Sequence, residues 1–390
     1  MLEKMKARIT GLLADKKTRN ALLFPGAALL LLVVMSALFM EHWMESDFAA
    51  EMIFSRLMSE TGHYIATPDW YYSTEYRLFY TQLIMVPLFK ILKSWTAIRV
   101  ITNIVFYGIL LSSYAFMVGP LKAGKERKIL FAVLLLIPFS ETMAQHMQFG
   151  NTYIAHVILM FWNIGLVLRL AFEQDRLKLQ NQETENPRRY ADVYVEEDET
   201  DREAKKEEPA KKVSVKDALP AGSGRQIWYL CALTTLALVC GASGVRYFLS
   251  VYAPLLVTGL WLIFRGEHFR ALLGSEEKPS LRGLFRDLRE VYLCREAGIF
   301  RNSLGASAIA FIGYLFNVTY IRSHFIFTTY EDLNFIRVIN GELFRRIENS
   351  IGSFLELMGY IPDRGVLSLR GFITMLAFVM IVVGIVIIVS

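Results

Sequence analysis

Along the chain, apolar runs of bilayer length alternate with short polar breaks. The first run, ALLFPGAALLLLVVMSALFM (21–40), follows a charged start. A helix of about twenty apolar residues crosses a hydrocarbon layer of roughly 30 Å. Further runs fall near 97–119, 129–143, 152–172, 227–243, 247–264, 305–321 and 371–389, with 129–143 and 305–321 the short ones. The pattern predicts an all-α polytopic membrane protein with about eight transmembrane helices. LFYTQLIMVPLFKILK (78–93) is different, because Pro87 and Lys90 interrupt it. Its clean apolar core of about ten residues predicts an interfacial helix lying on the bilayer.

Charge orients the spans. Lys4, Lys6, Arg8, Lys16, Lys17 and Arg19 precede the first run, and PLKAGKERK (120–128) follows the second. The positive-inside rule therefore places the N-terminus and 120–128 in the cytoplasm of a multi-pass cell-membrane protein. On this scheme 41–96 and 322–370 form long outer loops, with short ones near 144–151 and 243–246. The arginine-rich stretch 265–304 is cytoplasmic. So is 173–226, whose run QNQETENPRRYADVYVEEDETDREAKKEEPAKK is too charged to build a core and predicts a disordered loop. The chain thus divides into a membrane module 1–172, a charged loop 173–226 and a second membrane module 227–390. The start resembles a signal peptide, but its apolar part is too long and lacks an A-x-A site, so it predicts an uncleaved signal anchor. The apolar run IVVGIVIIVS at the end fits the front part of a longer protein.

Composition narrows the function classes. The chain is 54% hydrophobic with mean hydropathy +0.36, and its net charge of +5 sits beside the spans. No nucleic-acid partner is expected from that placement. Cys231, Cys240 and Cys294 lack CxxC spacing and read as buried thiols. P-loop, GxSxG and HExxH signatures are missing from the sequence, so ATP-driven transport, serine hydrolysis and zinc proteolysis have no support.

The first outer loop carries the candidate chemistry. In DFAAEMIFSRLMSE a helix sets Asp47, Glu51, Ser55 and Ser59 on one stripe, with Phe48, Met52, Ile53 and Leu57 on another. Gly62 would end it. The helix would lie at the outer surface with its acidic edge turned from lipid. That edge is either a solvated face or the place of a general base. Trp70, Tyr71, Tyr72, Tyr76 and Tyr80 suit an aromatic belt or a sugar-stacking platform. His146, in ETMAQHMQFGNTYIAH, could bind a metal or donate to a phosphate, although a lone His without a partner at ligand spacing is more often neither, and His156 reads as an interhelical residue. Gly241 and Gly244 let the chain turn before Arg246, which would either snorkel or hold a lipid phosphate. ELFRRIENSIGSFLELMG (342–359) predicts another surface helix. Its basic residues, with Arg322, His324 and Arg337, would meet anionic lipids or a pyrophosphate.

A basic start, one span and then ESDFAAE resemble the opening of the GT-C glycosyltransferases, polytopic enzymes that use polyprenyl-phosphate sugars. WYYSTEYRLFYTQLIMVPLFKI falls where that family's second juxtamembrane helix would, and GVRYFLSVYAPLL is similar to a segment of bacterial members. The likeness spans roughly residues 1 to 264, mostly as arrangement. It implies a polyprenyl-phosphate sugar donor and an envelope glycan, lipid or protein as acceptor, with membrane lipids around the enzyme and no cofactor. It also implies Asp47 as catalytic base, with Glu45 and Glu51 as lesser claimants. Glu51, Arg246, His146, Trp70 and Tyr72 would bind substrate, Arg246 at the leaving phosphate. Metal-dependent members carry further acids in the second outer loop. MAQHMQFGNTY has none, which implies a metal-independent enzyme or an inactive relative. The rival readings are a lipid-linked-glycan transporter of flippase type and a non-catalytic partner in envelope assembly.

Overall fold

The computed structural model describes residues 15–73, 75–138, 140–185, 223–266, 295–327, 341–357 and a few positions between 359 and 382. The protein is an all-α polytopic membrane protein. Its described helices are α1 (Lys16–Phe39), α2 (Ser46–Thr61), α3 (Gln82–Ile91), α4 (Trp95–Val118), α5 (Lys125–Ala132), α6 (Ile154–Glu185), α7 (Ser223–Ser243), α8 (Ala253–Arg265), α9 (Arg295–Phe316) and α10 (Gly341–Leu357). Among the described residues, six helical stretches are long and apolar enough to cross a membrane: Lys16–Phe39, Trp95–Val118, Ile154–Glu173, Gly224–Ser243, Phe248–Arg265 and Ala297–His324. They coincide with six of the expected runs, the last being longer than its run at 305–321.

The run 129–143 is not one helix. After α5, a 3₁₀ turn at Val133–Leu135 ends the helical path, and Ser140 caps a new turn at Glu141–Met143. Pro138 accounts for the break, because it lacks an N–H and disfavours a helical residue before it. The run 371–389 lies largely outside the described residues, as do 186–222, 267–294 and Arg337. Helix α6 does continue through the start of the charged loop, to Glu185.

The chain forms two compact units, 1–159 with 318–390, and 160–317. The last segment therefore groups with the N-terminal part and not with 227–317. A short parallel pairing explains this: Tyr71–Tyr72 (β1) bonds Ile326–Phe327 (β2). In the first unit, Asp15 caps α1 by accepting from the Lys17 amide at 3.2 Å, and Ser94 caps α4 by accepting from the Ala97 amide at 3.2 Å. Such caps satisfy amides that the first turn of a helix leaves without a carbonyl partner. Helix α1 buries Ala21, Pro25, Ala28, Leu32 and Ser36, a narrow stripe that permits close helix approach. Ser36 and Tyr107 then hydrogen-bond between α1 and α4 at 3.3 Å.

In the second unit, α7 packs on α9, and a Cβ on Gly241 would lie 1.8 Å from the Ala310 carbonyl oxygen. Gly241 thus serves helix contact, while Gly244, at φ 137°, makes the turn. Buried Asn163 donates to Cys240 at 3.7 Å and accepts from the Tyr252 hydroxyl at 3.3 Å. Polar pairs of this kind join helices where no water is available.

Candidate functional site

The connection between α1 and α4 folds into two short helices, α2 and α3, packed on each other. Helix α2 ends at Gly62, whose φ of 78° is left-handed and suits a residue without Cβ. It buries Phe48, Met52, Ser55 and Met58, while Ile53 is 49% exposed. The polar stripe is therefore rolled partly inward, with Asp47 exposed, Glu51 half-buried and Ser55 buried. Its middle acid meets compensating charge there, which makes the burial tolerable.

That acid is Glu51. Arg77 Nη1 donates to Glu51 Oε1 at 3.1 Å, and the Tyr80 hydroxyl donates to the same oxygen. Arg99 Nη1 donates to Oε2 at 3.1 Å. The Arg99 side chain is 0% exposed. Its remaining donors reach backbone: Nε to the Phe149 carbonyl at 3.4 Å, and Nη2 to the Gly150 carbonyl. Glu75 Oε2 lies 3.7 Å from Arg77 Nε and 3.4 Å from His156 Nε2. Charges of alternating sign thus run Arg99–Glu51–Arg77–Glu75, from α4 through α2 to the segment before α3, and the His156 ring of α6 lies beside the last of them.

The surroundings hold these groups in charge states that keep the chain intact. Burial pushes the Tyr80 hydroxyl well above its usual range and the Glu51 charge pushes it further, so it remains a donor. For Arg77 burial works against the cation. The neighbouring Tyr80, Glu51 and Glu75 outweigh it, and the net shift is upward. The guanidinium also sits 4.4 Å from the Tyr80 ring centroid.

Carbonyls for this network come from a π-helical stretch, Ala144–Phe149. Such stretches interrupt the regular bonding ladder. Here Tyr107 donates to the Gln148 carbonyl at 2.6 Å and Asn103 to the Phe149 carbonyl at 3.0 Å. Asn151, at φ 55°, hydrogen-bonds the Asn103 side chain. Asn is among the few residues that accept this backbone conformation. Gly150 closes the stretch against Phe48, where a Cβ would lie 1.9 Å from the ring.

The three acids of ESDFAAE part company. Gln145 donates to Glu45. Asp47 is exposed in the first turn of α2, where the helix dipole favours negative charge, and has no ion pair or hydrogen bond among the described residues. Glu51 alone joins the charged chain. His146 sits beside the Tyr153 ring, centroids 5.8 Å apart, and Tyr153 beside His156 at 5.7 Å.

Trp70 is half-buried against Phe54, at 5.2 Å. Tyr72 is 6% exposed, inside a cluster of Phe54, Tyr76, Phe325 and Phe327. Its hydroxyl donates to the Thr67 carbonyl at 3.0 Å, and burial pushes its pKa up to about 12. The ring is part of the packing between the first and last connections. Arg246 lies in the other unit, half-buried, its carbonyl accepting from Ser250 at 3.0 Å.

Among the described residues no cluster of three or more His, Cys, Asp or Glu side chains could hold a metal ion. Comparisons with protein-family models, curated proteins and solved structures found no match. Sequence reading missed Arg99, Arg77 and Glu75. The available signal was Arg99 itself, a cation one turn inside the apolar run that forms α4, since such a residue demands a partner.

Proposed function

We propose that this protein is a membrane glycosyltransferase of the GT-C type. It works at the outer face of the cytoplasmic membrane and moves a sugar from a polyprenyl-phosphate donor to an envelope acceptor. Asp47 is the general base. The observation behind this reading is the contrast between two acids one turn apart on α2. Glu51 accepts from two guanidinium groups and a phenol, so taking a proton would cost it those partners. Asp47 is exposed and unengaged among the described residues, on a helix that the Glu51 network holds in place.

In the reaction Asp47 takes the proton of the acceptor hydroxyl. The hydroxyl oxygen bonds to the anomeric carbon as the bond from that carbon to the phosphate oxygen breaks, which inverts the anomeric centre. The electron pair leaves with the lipid phosphate. Arg322, exposed near the end of the helical stretch Ala297–His324, supplies positive charge for that leaving group. A transporter would favour ionisable groups deep in its spans. Arg99 and His156 instead stand in the opening turns of α4 and α6.

The test is transfer from synthetic polyprenyl-phosphate sugars by the full chain in nanodiscs. Asp47→Asn is expected to lower the rate about 10²–10⁴-fold with an unchanged melting temperature. Full activity at normal abundance would remove Asp47 from the mechanism. A wild-type chain that translocates such lipids without transferring sugar would support the transporter.

A further inference from the structure

Helix α10 (Gly341–Leu357) carries an apolar face that the described protein leaves uncovered. Phe344, Ile347, Ile351 and Phe354 are 70%, 47%, 57% and 46% exposed. Their spacing of three, four and three residues puts them on one side of a helix. Arg345, Asn349, Ser353 and Glu356 turn elsewhere and are also exposed. Four large apolar side chains in one exposed row call for an occupant.

The position of α10 in the first unit says what that occupant is. Three membrane-length stretches have an end in that unit: α1 ends at Phe39, α4 begins at Trp95, and Ala297–His324 ends at His324. These ends are joined to one another. Thr96 donates to Glu41 at 3.3 Å, Trp43 stacks on Phe149 at 5.0 Å, and Phe325 packs on Tyr72 and Tyr76. Helix α10 packs beside Glu141–Met143, just before the π-helical stretch that meets α2 and α4. A cluster of span ends lies where hydrocarbon gives way to headgroups, so α10 lies at that boundary.

We infer that α10 is an interfacial helix whose Phe344–Ile347–Ile351–Phe354 face inserts into the bilayer surrounding the protein. The lipid is recognised by apolar contact and not by headgroup charge. Two arginines (Arg345, Arg346) stand against three glutamates (Glu342, Glu348, Glu356), which leaves one net negative charge on the helix. An anionic-lipid clamp would need the opposite sign. The inserted helix ties the last connection to the membrane beside Glu141–Met143, and this holds whether or not the protein transfers sugar.

Spin-label accessibility of the full chain in nanodiscs tests the inference. In a background with Cys231, Cys240 and Cys294 replaced, labels are placed at Ile351→Cys and, on the opposite face, at Asn349→Cys. Ile347→Cys provides a second apolar-face site should the first variant fail to fold. The ratio of collision rates with oxygen to those with a water-soluble nickel chelate is expected to be several-fold higher at 351 and 347 than at 349. Adding phosphatidylglycerol to phosphatidylcholine discs should leave that ratio unchanged. Equal nickel access on both faces would place the helix in water and overturn the inference. Shielding of 351 from both reagents, with or without spin–spin broadening from a second copy, would make the occupant protein and overturn it equally. Insertion that appears only with phosphatidylglycerol would overturn recognition by apolar contact.

Discussion

Two carboxylates a single turn apart meet different physical demands. Glu51 is 12% exposed and compensates Arg99, whose side chain is fully buried. Removing its charge strands a guanidinium away from water, which typically costs about 3–5 kcal/mol. Glu51→Gln should therefore lower the melting temperature of the detergent-purified chain markedly, while Asp47→Asn leaves it unchanged. Equal melting temperatures for Glu51→Gln and wild type would mean that Arg99 has another route to compensation. The pair was only half legible beforehand. Helical spacing puts both acids on one stripe, but the partners of Glu51 lie 26, 29 and 48 residues away. No local pattern reports contacts of that range, so the buried acid could not be told from the accessible one.

Elements behave according to how closely their signal tracks length and period. Six spans and both short helices of the first connection were legible, because apolar length and a 3.6-residue period are strong, local and redundant signals. Segment 129–143 misled because average apolarity conceals a single Pro138. The π-helical stretch Ala144–Phe149 has no period of its own and read as a loop. Its geometry depends on Gly150, where a Cβ would meet Phe48 at 1.9 Å and the Gln145 carbonyl at 2.3 Å. A shift of Phe48 alone would not relieve the second clash. Overpacking of this kind costs roughly 1–3 kcal/mol. Gly150→Ala should thus lower thermal stability and slow any sugar transfer, because Phe48 lies one residue after Asp47 on α2. A wild-type melting curve for Gly150→Ala would show that the π-helical stretch relaxes freely.

At the scale of the whole chain, sequence order and spatial grouping diverge. Reading along the sequence suggests two consecutive membrane modules, yet residues 318–390 group with 1–159. Closing so long a loop carries an entropy cost that grows only slowly with length. A modest contact can offset it, here the Tyr71–Ile326 and Tyr72–Phe327 pairing backed by an aromatic cluster. Neighbouring strands lie about 4.8 Å apart, within reach of a disulfide. Tyr71 and Ile326 are paired, and both are exposed, at 61% and 59%, so neither side chain fills the core. Tyr71→Cys with Ile326→Cys should therefore oxidise to an intrachain disulfide, detected as a linked tryptic peptide pair that separates on reduction. The single variants should give no such species. If the double variant yields only dimers or free thiols, the last connection is not docked on the first. The cluster of span ends beside α2 would then lose one of its walls, and with it part of the case for a single site around Asp47.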